Sequence, residues 1–160
     1  MGAAADGGRY MTVDLVDIIL RLTAAVVAGM LIGLNRDLQQ KPIGMRTLAL
    51  VSLGAASVAV ASIDFSLLKN EPDAVSRVVQ GVIQGVMAGI SFIGAGVILR
   101  DASHRRVEGL TTAATVWMAA ALGIACGLAA WAVVAAALGL ALIVLAGLGW
   151  LEAKLWPDRA

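Results

Sequence analysis

The side chains able to do chemistry in this chain sit inside long apolar runs. Asp14, Asp17, Arg21 and Asn35 interrupt the first such run; Arg77, Gln80, Gln84 and Ser91 interrupt the third. Their spacing is helical. Asp14, Asp17, Arg21, Ala24, Ala28, Ile32 and Asn35 recur at steps of three and four, which places them on one helix face. Arg77, Gln80, Gln84 and Ser91 likewise share a face. A carboxylate four residues before an arginine can pair with it, so Asp17 and Arg21 read either as a buried structural ion pair or as part of a polar line bordering a site. Asp14, Asp17, Asp64, Glu71 and Asp73 could hold a hydrated magnesium ion through oxygen. Arg21 and Arg77 lie on the same faces and would repel a dication. No nucleophile with its base, metal-ligand cluster or phosphate loop stands out, so neither enzymatic activity nor a cofactor is expected, and no metal ligand is assigned. Cys126 and His104 are the one cysteine and the one histidine, which excludes an intrachain disulfide and a histidine cage.

The elements that position these groups follow from composition. Of 160 residues, 60% are hydrophobic and 14% charged, with a mean hydropathy of +0.89. Soluble domains run nearer half apolar and a quarter charged. An all-α, polytopic membrane bundle is therefore expected. A helix needs about 20 apolar residues to cross the hydrocarbon core, and five runs qualify, at about 13–35, 44–64, 75–99, 110–127 and 130–151. Residues 1–12 and 152–160 read as tails, with no cleaved signal peptide. The net charge of +1 gives no reason to expect nucleic-acid binding.

Basic residues set the orientation. Arg36, Lys41, Arg46, Arg100, Arg105, Arg106, Lys154 and Arg159 fall on one side, against Arg9, Lys69 and Arg77 on the other. This predicts an external N-terminus and a cytoplasmic C-terminus. Tyr10 and Trp131 then mark the outer interface, Trp150 and Trp156 the inner one.

The third run explains its own polarity through packing. Gly81, Gly85 and Gly89 recur every four residues beside Gln80 and Gln84. Helices associate in lipid through close backbone approach and interhelical hydrogen bonds, so this span is expected to be central, with its amides turned inward. Gly94 and Gly96 add small residues and a place where the helix could break to line a cavity. Glycine stripes left unfilled in so small a bundle suggest a homo-oligomer, a dimer, or contact with a larger membrane complex.

The two basic loops resemble one another. Arg36-Asp37 precedes Lys41 and Gly44-Met45-Arg46-Thr47; Arg100-Asp101 precedes Arg105, Arg106 and Gly109-Leu110-Thr111-Thr112. A parallel repeat of helices 1–2 and 3–4 would produce this pattern. Thr47 and Thr112 could cap their helices while Asp37 and Asp101 pair with nearby arginines. Alternatively, Arg36, Arg46 and Arg100 could hold a cytoplasmic anion or headgroup.

These motifs resemble the MgtC/SapB family of bacterial inner-membrane proteins from about Leu15 to Gly127. The matching residues are Asp17 and Arg21; Gly33, Arg36 and Asp37; Lys41, Pro42, Gly44, Arg46 and Thr47; Arg77, Gln80, Gly81, Gly89, Phe92, Gly94 and Gly96; and Val107, Gly109, Thr111, Thr112, Trp117 and Gly127. Asn35 stands where the family usually has glutamate, and Leu48 where it usually has histidine. A soluble C-terminal domain carried by MgtC proteins is not expected here. The resemblance implies an inner-membrane location and a role in magnesium homeostasis, through adaptation to low magnesium, and in virulence. It also implies regulation of a membrane complex, with the F-type ATP synthase as the family's linked target. A magnesium or other cation channel or transporter is the competing reading.

Overall fold

In a computed structural model of the chain, the described residues are 15–63, 72–100, 109–148 and 154–155. Five α-helices dominate them: α1 (Leu15–Leu38), α2 (Met45–Ile63), α3 (Pro72–Arg100), α4 (Leu110–Gly127) and α5 (Trp131–Ile143). One π-helical stretch, Val144–Leu148, continues α5. All five helices are long and apolar enough to cross a membrane once that continuation is included.

Local chemistry explains where the helices end. After α1 the amides of Gln39 and Lys41 donate to the Arg36 carbonyl, at 3.2 and 3.1 Å. Gln40 takes a left-handed φ of 54°, and Pro42 follows, a residue that cannot extend a helix. α4 begins at Gly109, whose φ of 85° favours a residue without Cβ. It stops where Ala129 also turns left-handed, with φ 56°, and sends its amide to the Cys126 carbonyl at 2.9 Å. That corner divides the long apolar stretch into two spans. α3 runs unbroken through Gly94 and Gly96.

The core lies among α1, α2 and α4. Ala28, Ile32, Leu48, Val116, Ala119 and Leu122 form its main buried cluster. Ala55, Ala59, Ala120 and Ile124 extend it. α2 packs one face, carrying Met45, Ala49, Ser52 and Ala56, against the other two through a pair of glycine steps. From α1, a methyl on Gly29 would stand 2.8 Å from Cα of Ala49, and one on Gly33 would stand 2.7 Å from the Met45 nitrogen. From α4, a methyl on Gly123 would stand 2.9 Å from Cα of Ser52, and one on Gly127 would stand 2.8 Å from the Ala56 carbonyl. Both are small-xxx-small steps that let backbones touch.

The third span is not central, contrary to the expectation from its glycines. α4 is the most enclosed helix and α3 one of the least. α3 leans on α4 and more thinly on α2, through Val86, Met87 and Ile90. These branched and long apolar residues make the contact, and Gly81, Gly85, Gly89 and Gly96 are left exposed. α5 is apolar all round and has no buried residue. It lies against the core through Val134, Ala137, Leu138 and Ala141.

Candidate functional site

The polar face of α1 becomes two clasps, one at each end of α4. Near the start of α1, Arg21 pairs with Asp17 at 2.6 Å and donates from Nη1 to the carbonyl of Gly127 at 2.9 Å. Gly127 is the last residue of α4, so the guanidinium satisfies an orphan carbonyl at the negative end of the helix dipole. Near the end of α1, Arg36 donates from Nη2 to Thr112 Oγ1 at 2.7 Å. Thr112 stands in the first turn of α4 and is buried. The two helices therefore run antiparallel. The intervals match: 36 − 21 and 127 − 112 are both 15 residues, about 22 Å at the α-helical rise.

The two clasps differ in electrostatics. Arg21 has a carboxylate and a helix C-terminus to balance its charge. Arg36 has only a neutral hydroxyl from α4, at the positive end of that helix, although its own position in the last turn of α1 is favourable. It is 3% exposed; its Nε, like that of Arg21, has no hydrogen-bond partner. The buried Oδ1 of neighbouring Asn35 also lacks one. Asp37, one residue on, is exposed and turned elsewhere: its Oδ2 accepts the Met45 amide at 2.9 Å, capping α2. A Cβ at Gly44 would run into the Asp37 carboxylate, so any larger residue there would have to displace this cap. Capping of α2 thus falls to Asp37 in place of Thr47, which is exposed. Thr112 accepts from Arg36, and α4 has no side-chain cap because its N-cap is Gly109. Thr115, one turn on, donates to the Thr112 carbonyl at 2.7 Å.

The other sequence candidates separate from these clasps. Arg77, Gln80, Gln84 and Ser91 are all exposed on α3, opposite to the inward orientation expected of them. Ser91 spends its hydroxyl on the Met87 carbonyl at 2.8 Å. Gly81, Gly85, Gly89 and Gly96 have nothing within 4 Å of a Cβ position. A methyl added at any of the four would meet no neighbouring helix among the described residues. Gly94 is the exception, buried and facing the Ala113 methyl at 3.6 Å. Lys41, Arg46 and Thr111 are exposed near the Arg36 end. Of the acids considered for magnesium, Asp17 is taken by Arg21 and Asp73 is exposed. Asp14, Asp64, Glu71 and Asp101 lie outside the described residues, as do Tyr10, His104, Trp150, Trp156 and the side chain of Arg100.

The sequence alone does not single out Gly29 or Gly123 for packing; Gly33 enters through the family resemblance, and Gly127 through that and as the end of the fourth span. The signal was available: 29/33 and 123/127 have the same four-residue interval as 81/85/89.

The MgtC family profile matches residues 22–154. The chain belongs to the MgtC family. Protein SapB of Bacillus subtilis is 36% identical over 143 residues, covering 89% of this chain and 61% of SapB. Protein SrpB of Synechococcus elongatus is 36% identical over 149 residues, 89% of this chain and 81% of SrpB. Protein MgtC of Salmonella typhimurium is 42% identical over 110 residues, 69% of this chain but only 43% of MgtC. The chain thus spans less than two thirds of SapB and under half of MgtC. No solved structure matches it. With five spanning helices and this membership, the chain is an MgtC-like membrane protein.

Proposed function

We propose that this MgtC-family chain is a regulatory protein of the bacterial inner membrane that acts by helix–helix contact, using the outward face of α3. One observation carries the reading. Gln80, Gln84 and Ser91 stand exposed beside Gly81, Gly85, Gly89 and Gly96, in a helix long and apolar enough to span the bilayer. Lipid offers an amide no hydrogen-bond partner, whereas another helix offers both a partner and a surface that can approach bare backbone. The occupant is a membrane complex, for which the family resemblance suggests the F-type ATP synthase, or a second copy of the chain. By the distribution of basic residues the N-terminus faces outward and the C-terminus faces the cytoplasm. The physiological setting carried by the resemblance is adaptation to low magnesium and, in pathogens, virulence.

Transport of magnesium or another cation is the second reading. It draws less support, because Asp17 is engaged by Arg21. Between the two arginine clasps the core is filled by Ala25, Ala28, Ile32, Leu48, Val116 and Ala119. The deciding experiment pairs two measurements in native-like membranes. A photo-crosslinking side chain at Gln84 is expected to give protein adducts, while one at the exposed Val27 of α1 labels lipid. Adducts to lipid alone at both positions would refute the contact reading. Magnesium uptake into proteoliposomes that is abolished by Gln84→Leu would establish transport instead.

A further inference from the structure

We infer that the Arg36 end of the bundle is a binding site for a phosphate-class oxyanion. The argument starts from the imbalance between the two arginines. A buried cation is tolerated when it is paired and its donors are satisfied. Arg21 meets this condition largely through Asp17 and the Gly127 carbonyl. Arg36 is more deeply buried and is bonded only to a neutral hydroxyl; the Nε of each arginine lacks a partner, so the difference lies in the missing carboxylate. Arg36 therefore holds a buried positive charge with no described carboxylate joined to it.

The surroundings add donors. α4 begins against this guanidinium, and its N-terminus has no side-chain cap because Gly109 occupies that position. The first-turn amides of any α-helix lack intrahelical acceptors and favour an anion. Arg36 bonds to a side chain of this same turn, so its donors and the helix amides lie together. Exposed Lys41 and Thr111 flank the site: the Lys41 amide donates to the Arg36 carbonyl, and Thr111 precedes Thr112. An arginine edge and helix amides together suit the geometry of a tetrahedral oxyanion. That chemistry is shared by a phospholipid headgroup and by free phosphate, and the fold offers it at the end of a membrane-spanning segment.

The test uses the full chain. In neutral detergent, the thermal midpoint is followed as sodium phosphate replaces sodium chloride at constant ionic strength. In a second arm, the chain is reconstituted into phosphatidylcholine vesicles with or without phosphatidylglycerol, and the phospholipid retained on re-extraction is measured. A saturable rise with phosphate identifies a free oxyanion as ligand. Selective retention of phosphatidylglycerol, without a phosphate response, identifies the headgroup. In either case Arg36→Lys, which keeps the charge but loses the fork, is expected to weaken the response. Should that variant fold poorly, Thr111→Asp supplies a carboxylate in place of the ligand. It is expected to raise the unliganded midpoint and abolish the response. A wild-type chain that responds to neither probe overturns the proposal and leaves Arg36 as a clasp alone.

Discussion

Alanine substitution of glycines should have opposite signs on α4 and α3. At Gly123 the added methyl would lie 2.9 Å from both Cα and C of Ser52, and closer still to its carbonyl oxygen, where ordinary contact begins at 3.4 Å. These are backbone atoms, so no side chain can swing aside. α2 cannot move away without also opening its contacts with Gly29 and Gly33 of α1, which meet the same face of α2. Overpacking of this kind costs about 1–3 kcal/mol, and backbone opposite the new methyl puts Gly123 toward the upper figure. The helix propensity gained from alanine returns up to about 1 kcal/mol. Gly123→Ala is therefore expected to lose about 2 kcal/mol. At Gly85 nothing stands within 4 Å of the new methyl, so the propensity term acts alone and the isolated chain gains up to about 1 kcal/mol. The assay is the thermal midpoint of each variant, purified in one detergent under conditions that keep the chain monomeric. A Gly123→Ala chain that melts with or above wild type, or a monomeric Gly85→Ala chain that melts below it, would refute the packing argument. In membranes, Gly85→Ala should also diminish the crosslinks formed from Gln84.

Three other outcomes follow from the polar contacts and the helix corner. Asp17→Ala leaves Arg21 without its carboxylate and should cost about 1–3 kcal/mol, between exposed and buried limits because Asp17 is 39% exposed. Gln84→Ala should leave the midpoint of the monomer near wild type, and equal midpoints for these two variants would count against the clasp. Thr112→Val removes the hydroxyl that Arg36 bonds and should cost about 1–3 kcal/mol, whereas Thr112→Ser should retain most of the stability. Gly109→Ala must hold a φ of 85°, a strain of about 1–2 kcal/mol, and would bring a methyl to 3.2 Å from the Val97 carbonyl. Its midpoint should fall, and a midpoint at or above wild type would remove the case for glycine at this corner.

Much of the architecture was legible in the residue order because it depends on local quantities. Length and hydropathy are enough to make a helix that spans a bilayer, whatever its neighbours do. The five spans follow from them, including the division near Gly127. So does the shared face of Asp17, Arg21, Ala28, Ile32 and Asn35, since the 3.6-residue period acts within one helix. The Asp17–Arg21 pair is local in the same sense.

How each helix is rotated toward its neighbours is a different kind of quantity. Gly81, Gly85 and Gly89 have the same spacing as Gly29/Gly33 and Gly123/Gly127, yet among the described residues only the latter two pairs lie so close to another helix that a methyl would strike its backbone. A small-residue step states that close approach is possible, without saying to what. The choice is made by the summed contacts of all the helices, here by Val86, Met87 and Ile90 holding α3 with its glutamines outward. The Arg36–Thr112 bond spans 76 residues of sequence, and Arg21 reaches a carbonyl 106 residues away. The residue order determined which groups needed partners in an apolar medium; the packing of α1 and α4 decided which of them found one, because only tertiary contact brings distant backbone and side-chain atoms within bonding range.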